Sequence, residues 1–255
     1  MSYKELEIKS TSLTPINKGR SYPFRWENYI IKLETMPNWE GFERPTKTID
    51  IQNEYNAVLI AKSLGVYTPE IELIKVTLVN NGQRHTTRAT IREWQELQTY
   101  NSSTQLFISI PKICHRIDFQ YILIVDFLLA NYDRRYSNIL YDKVKDVVVP
   151  IDYDSSFAFD AMPCNIDGVK ILFSKFISDP VASGMLDFDI LIFGEVYAWI
   201  KKQINFSLLA YIDDRLVKRA VLAEDAFRQY FLSIKGDINV GNIRHKHKKS
   251  SVMFN

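Results

Sequence analysis

Residues 131–138 read NYDRRYSN, and the fold assignment starts from this stretch. It follows a strongly apolar segment, 117–131, which we predict to be a helix, and it precedes two short predicted strands at 139–141 and 146–151. Asp152 comes directly after the apolar run 147–151, which is typical of a buried strand with a carboxylate at its tip. Asp133, Asn138 and Asp152 therefore fall at the ends of predicted elements.

These residue types, in this order, are those that phosphoryl transfer requires. One carboxylate accepts the proton of the attacking hydroxyl, and a carboxylate and an amide hold the divalent metal ions. Kinase catalytic loops space the base and the metal-binding Asn as D-x-x-x-x-N, with a second metal-binding Asp one strand later. Asp133, Asn138 and Asp152 follow that pattern. Taken singly, each also suits a turn or a helix cap, and Asp154 is an alternative to Asp152.

The first part of the chain supplies a lysine and a glutamate for the same chemistry. Residues 29–33 read YIIKL and predict a strand that carries Lys32. Asp50 or Thr48 is a candidate cap for a helix over 51–64, which places Glu54 in its first turn. Because such a helix packs against the sheet, we expect Lys32 and Glu54 to form an ion pair that holds the lysine on the nucleotide phosphates.

The remaining patterns predict an α+β fold of two lobes. Strands are predicted at 71–79 and 87–94 around a turn at 80–82, and another at 106–110. Long amphipathic helices are predicted at 188–204 and 208–234. We predict an N-terminal nucleotide-binding lobe at 1–112, rich in β-structure and with one helix, a larger and mainly helical catalytic lobe at 113–240, and a basic flexible tail at 241–255.

Several segments together resemble HipA-like kinases, a family related to the phosphatidylinositol kinases. The run at 126–140, DFLLANYDRRYSNIL, is similar to their N-x-D-R-H-x-x-N motif, and the run at 150–157, PIDYDSSF, is similar to P-I-D-x-x-x-S-F. Residues 53–66, followed by Pro69, resemble their N-E…L-A…L-G-[LIV]…P helix. The resemblance covers residues 29–160, roughly half of the chain, with order and spacing matched together.

The resemblance implies a two-lobed protein-kinase-like fold with ATP and Mg²⁺ as cofactors. It implies that Asp133 is the catalytic base, that Asn138 and Asp152 bind magnesium, and that Lys32 contacts ATP with Glu54 as its partner. Arg134 and Asp126 are assigned structural roles, with Arg134 pairing a carboxylate near the loop.

The chain departs from the family at two places. Arg135 stands where the family has histidine. A glycine-rich phosphate loop is replaced by Lys18-Gly19-Arg20-Ser21, whose backbone N–H groups are candidates to cradle phosphate, with Lys18 and Gly19 as the contacts. Some relatives carry autophosphorylated serines in this region, and the candidate positions here are Ser10, Thr11, Ser12 and Ser21.

Composition, charge and the longest apolar stretch reduce the classes of function that the sequence allows. The chain has 255 residues and a formal net charge of +2, which is too near balance to indicate a nucleic-acid partner by itself. The basic run at 244–249 is interpreted as a solvated tail. Cys114 and Cys164 do not suggest a disulfide framework, and the four histidines lack metal-ligand spacing. The apolar stretch at 121–130 is too short to cross a bilayer, so a cytoplasmic protein without a membrane partner is expected.

Two classes of function remain open. The first is a kinase that phosphorylates Ser or Thr on a protein, because several HipA-like kinases are toxins that act on the translation machinery. An antitoxin or a regulatory protein is a candidate partner of such a kinase. A lipid or small-molecule hydroxyl is an alternative acceptor. The second is a pseudokinase, a nucleotide- or protein-binding module without turnover, which Arg135 and the missing glycine-rich loop favour. A nucleic-acid binder with a basic tail is a distant third.

Overall fold

The computed structural model describes residues 3–16, 23–40, 42, 50–99, 116–177 and 190–237. The predicted strand at 106–110, Lys18, Gly19, Ser21 and the basic tail lie outside the described residues. The predicted α+β class, with a β-rich N-terminal lobe that carries one helix and a larger helical C-terminal lobe, is confirmed. The lobe boundaries at 112 and 240 fall outside the described residues and stay predictions.

The N-terminal lobe is built on one six-stranded sheet in the order β1-β5-β6-β4-β3-β2. All neighbours are antiparallel except β1 and β5, which run parallel. The strands are β1 (Lys4–Lys9), β2 (Thr14–Pro15), β3 (Phe24–Trp26), β4 (Tyr29–Leu33), β5 (Glu72–Asn80) and β6 (Gln83–Glu93). One face of the sheet is an apolar cluster that Met36, Trp39 and Phe42 cover.

The β5–β6 hairpin corrects one predicted boundary. The second strand begins at Gln83 rather than at 87, because Asn81 and Gly82, with φ of 48° and 81°, make a two-residue turn that suits the twist of the strands. The start of this strand could not be recognised from the sequence, because residues 83–88, QRHTTR, are polar. Their side chains lie largely on an exposed face of the sheet, where Thr77 and Thr86 pair at 3.0 Å.

Helix α1 (Ile51–Ser63) lies between the sheet and the other lobe. The Asp50 carboxylate accepts a hydrogen bond from Asn53 N at 3.1 Å and caps the helix, as predicted. Gly65 follows with φ of 88°, a left-handed conformation that glycine adopts without strain. The apolar side of α1 joins the large core of the C-terminal lobe.

The C-terminal lobe contains α2 (Ile117–Leu128) and a small sheet in the order β7-β8-β9, whose strand β7 comes from within the segment predicted for the N-terminal lobe. Its remaining elements are β7 (Gln98–Thr99), β8 (Ile139–Asp142), β9 (Val147–Pro150), α3 (Ile166–Ile177), α4 (Ile190–Gln203), α5 (Phe206–Ile212) and α6 (Asp214–Asp237). Helix α2 ends three residues before its predicted end, because Ala130 takes a φ of 50° and Asn131 N donates back to Asp126 O at 2.8 Å.

The prediction of one continuous helix over 208–234 is wrong. Asp213 is extended, with φ −163° and ψ 124°, and it separates α5 from α6. Its carboxylate accepts a hydrogen bond from Arg215 N at 2.9 Å, so it starts the next helix instead of continuing the first. No helix in the described part of the chain is both long and apolar enough to span a bilayer.

Candidate active site

Lys32 and Glu54 form a buried ion pair beneath the sheet. Lys32 Nζ lies 2.8 Å from Glu54 Oε1, and the two side chains are only 5% and 3% exposed. Lys32 comes from the central strand β4 and Glu54 from the first turn of α1. The expected contact between the strand lysine and the helix glutamate is therefore present.

Thr90 completes the surroundings of Glu54, and sequence reasoning missed it. Thr90 is the cross-strand neighbour of Lys32 in β6 and β4, so both side chains leave the sheet on the same face. Thr90 Oγ1 donates to Glu54 Oε2 at 3.2 Å. The two Glu54 oxygens thus have separate donors. Only the register of the two strands reveals this threonine.

Asp152 joins the same cluster from the other lobe. It follows β9, and its Oδ1 accepts from Lys32 Nζ at 2.6 Å. Burial alone would raise the pKa of this carboxyl, but the Lys32 ammonium outweighs burial and lowers the pKa of Asp152 to about 2. Its φ of 63° lies in the left-handed region, which Asp adopts more readily than most residues other than glycine.

Asp154 adds a further carboxyl group beside Lys32. Burial, together with the negative charges of Asp152 and Glu54, raises the pKa of Asp154 to about 6, although Lys32 opposes the change. Two carboxylates, those of Glu54 and Asp152, therefore contact the Lys32 ammonium, and the carboxyl group of Asp154 is near enough to interact with it electrostatically.

The loop 131–138 is fastened to the strand that ends at Asp152. Asn138 Nδ2 donates to the main-chain oxygen of Asp133 at 3.2 Å, which closes the loop on itself. Ile151 N donates to the main-chain oxygen of Asn138 at 3.0 Å, so Asn138 lies next to the residue before Asp152. The structure thus brings Asn138 and Asp152 to adjacent backbone positions.

Arg134 is the buried centre of this arrangement. Its Nε lies 2.7 Å from Asp126 Oδ2, and neither side chain is exposed. Its Nη1 donates to the main-chain oxygens of Asn138, at 2.9 Å, and of Ile151. Burial raises the pKa of Asp126 although Arg134 opposes this. The structural role expected for both residues fits these contacts, since one guanidinium holds the loop, the strand and α2 together.

Arg135 contacts Asp133 from the surface of the protein. Arg135 Nε donates to Asp133 Oδ1 at 2.8 Å, and Arg135 Nη2 contacts the same oxygen. The Arg135 side chain is 49% exposed and that of Asp133 is 15% exposed. The candidate base is therefore reachable from solvent.

Asn138 and Asp152 both carry oxygen atoms of the kind that magnesium prefers. Mg²⁺ prefers oxygen ligands and is commonly bound by one or two carboxylates together with substrate phosphates, without a full protein cage. Asp152 offers a carboxylate. The Oδ1 atom of Asn138 meets only Ser137 Oγ, at 3.4 Å, among the described contacts. No group of three or more His, Cys, Asp or Glu residues is placed to hold a metal within the described ranges.

The sheet with its lysine, the helix with its glutamate and the mainly helical second lobe define a two-lobed, kinase-like α+β fold. No family model matches the chain, and no curated protein matches it. Similar solved structures include CtkA, a proinflammatory kinase of Helicobacter pylori, at 14% identity and a TM-score of 0.42, over 89% of this chain and 99% of that one. WbdD is similar at 17% identity and a TM-score of 0.34, over 85% of this chain and 48% of that one. Neither likeness bears on activity.

Proposed function

We propose that the protein is an ATP- and magnesium-dependent phosphotransferase that moves the γ-phosphoryl group of ATP to a hydroxyl group. The observation that carries the proposal is the contact of Lys32 with both Glu54 and Asp152, at 2.8 and 2.6 Å, beside the loop that holds Asp133 and Asn138. A buried lysine held by a helix glutamate, with a carboxylate after a strand, is the phosphate-binding set of kinases.

Each residue has one task in this proposal. Lys32 contacts the ATP phosphates as a fixed positive charge, and Glu54, held by Thr90, keeps the ammonium in place. Asp133 accepts the proton of the acceptor hydroxyl as the acceptor oxygen bonds to the γ-phosphorus, while the bond from phosphorus to the β–γ bridging oxygen breaks and ADP leaves. Lys18 and Gly19 remain candidates for phosphate contacts from the preceding loop.

Asn138 and Asp152 are the residues proposed to hold magnesium. When bound, magnesium neutralises the charge of the phosphates during transfer. The spacing of Asn138 and Asp152 is fixed through Ile151, the residue before Asp152. Ile151 N donates to Asn138 O, and Arg134 Nη1 donates to the main-chain oxygens of Asn138 and Ile151.

We further propose Ser or Thr of a protein as the acceptor and the cytoplasm as the location, following the resemblance to HipA-like kinases. The same resemblance makes an antitoxin or regulatory protein a candidate partner. A lipid or small-molecule hydroxyl is the alternative acceptor. The second candidate function is nucleotide binding without turnover, in which the Asp133 carboxylate stays paired with Arg135.

The test is turnover of labelled ATP with magnesium, followed as ADP release, self-labelling and labelling of proteins in a lysate. Asp133→Asn and Asp152→Asn are compared with Asp167→Asn, whose exposed carboxylate pairs only with Lys170 at 3.4 Å among the described contacts. We expect both site variants to lose at least about a hundredfold in turnover and Asp167→Asn to keep it. Magnesium-dependent nucleotide binding without any turnover would support the second candidate, and absence of both would refute the proposal.

A further inference from the structure

Two neighbours constrain Asp133, one through its backbone and the other through its carboxylate. Asn138 Nδ2 donates to the main-chain oxygen of Asp133 at 3.2 Å, which fixes the backbone but leaves the side-chain torsions free. Arg135 supplies the missing constraint, because its Nε, at 2.8 Å, and its Nη2 both donate to one carboxylate oxygen, Oδ1. Among the residues whose side chains the structure describes, no donor reaches the other oxygen, Oδ2.

We propose that Arg135 is a positioning residue that holds Asp133 by Oδ1 and leaves Oδ2 to take the proton of the acceptor. This inference rests on the proposed function. In the transfer step the acceptor oxygen bonds to the γ-phosphorus, its proton passes to Oδ2, and ADP leaves with the electrons of the broken phosphorus–oxygen bond. A carboxylate that is free to rotate would present Oδ2 correctly for only part of the time, and misplacement of a catalytic group is costly to the rate.

The same contact contributes little to folding. Arg135 is about half exposed, and ion pairs at exposed positions add little to the stability of a protein. Removal of the guanidinium should therefore change the rate of transfer without changing the unfolding midpoint. A purely structural ion pair would not alter the rate in this way, so the two roles separate experimentally.

The lysine variant tests the geometry of the contact. A guanidinium presents two N–H groups in a fixed fork, whereas an ammonium on a flexible stem is a single point charge. Arg135→Lys keeps the positive charge next to Asp133 but loses the fork. It is expected to retain part of the rate, between the wild type and Arg135→Ala.

The experiment measures kcat and KM for ATP turnover in wild type, Arg135→Ala and Arg135→Lys, with and without guanidinium chloride at non-denaturing concentrations of tens of millimolar. Arg84→Ala is the control, because Arg84 is also exposed and lies 2.6 Å from a carboxylate, that of Glu7. We expect kcat of Arg135→Ala to fall about 10- to 100-fold, with KM for ATP changed less than about threefold. Guanidinium should restore part of kcat in Arg135→Ala and none in Asp133→Asn.

Three results would overturn the inference. Full kcat in Arg135→Ala would show that Asp133 needs no partner. A rise in KM without loss of kcat would place Arg135 on the nucleotide instead of on the base. A loss of kcat that guanidinium does not restore would remove the orienting role. In each case Asp133→Asn still reports on the proposed function separately, whereas a wild type without turnover refutes both.

Discussion

Lys32 and Asp152 are 120 residues apart in the chain, yet Lys32 Nζ lies 2.6 Å from Asp152 Oδ1. This contact joins the sheet of the N-terminal lobe to the strand end of the C-terminal lobe. The lysine proposed for nucleotide and the aspartate proposed for metal therefore neutralise each other when neither ligand is present. Under the proposed function, binding of a complex of metal and nucleotide would replace the ion pair between Lys32 and Asp152 with two contacts. Lys32 would contact a phosphate, and Asp152 would contact the metal.

Loss of the lysine should destabilise the protein strongly. Lys32→Met leaves the buried carboxylate of Glu54 without its cation, and breaking a buried pair costs about 3–5 kcal/mol. The double variant Lys32→Met/Glu54→Gln should recover part of that loss, since the more deeply buried carboxylate, Glu54, is then neutral, whereas Asp152 still lacks the ammonium. Urea unfolding of both variants at neutral pH measures the difference. Equal stability of the single and double variants would contradict the burial of this pair.

The pair Asp126–Arg134 allows stability and activity to be separated. Arg134→Met should cost about 3–5 kcal/mol in unfolding free energy, because Asp126 is then buried without a partner. Asp126→Leu/Arg134→Met removes both charges and should regain part of the stability, because the buried Asn131 Nδ2 then loses its acceptor. ATP turnover should stay low in the double variant, because Asn138 and Ile151 no longer share the guanidinium donor. A stable and fully active double variant would contradict the positioning role of Arg134.

The raised pKa of Asp154 should make the free energy of unfolding depend on pH. The pKa of Asp154 is raised from 3.8 to about 6 on folding, so the folded state holds this proton more tightly than the unfolded chain. The resulting stabilisation is present below pH 4 and is lost as pH rises through about 6.

The matching experiment compares wild type and Asp154→Asn in urea at several pH values. The advantage of Asp154→Asn in unfolding free energy should grow between pH 4 and pH 7 and reach about 1–3 kcal/mol. Magnesium is left out so that the carboxylate has no added cation. A difference that does not change with pH would contradict the raised pKa.

Two helix glycines give opposite predictions for the same substitution. A Cβ at Gly168 in α3 would lie 1.8 Å from Pro163 O, so Gly168→Ala should cost about 2–3 kcal/mol or more. A Cβ at Gly194 in α4 meets nothing within 4 Å, so Gly194→Ala should gain about 0.5–1 kcal/mol from helix propensity. Thermal unfolding of the two variants tests the pair. Similar shifts of the melting temperature in both would contradict the close packing at Gly168.

The sequence predicted those parts of the site that depend on local patterns. Lys32 on a strand and Glu54 in a capped helix could be read from short segments, and their contact follows from packing one helix on one sheet. The direct contact of Lys32 with Asp152 could not be predicted, because it depends on how the two lobes meet. Thr90 was missed for a related reason, since its importance arises from strand register.

The errors in the fold have equally specific causes. Strand β1 was missed because Lys4, Glu5, Glu7 and Lys9 make it look like a polar terminus, although Ile8 is buried. The break at Asp213 was missed because the apolar period continues on both sides of it. Strand β1 depends on its pairing with the distant strand β5, and the break at Asp213 depends on a local hydrogen bond. Hydrophobic periodicity shows neither of these interactions.

Strand β1 also has a consequence for handling the protein. It pairs with β5 in parallel along its full length, from Lys4 opposite Ile74 to Lys9 opposite Val79, and so covers the hydrogen-bonding edge of β5. Without these residues, β5 would present a long row of unpaired N–H and C=O groups in a strand rich in Val, Leu and Ile, which is a template for intermolecular pairing. Variants shortened at the N-terminus should therefore aggregate, and affinity tags are better joined elsewhere.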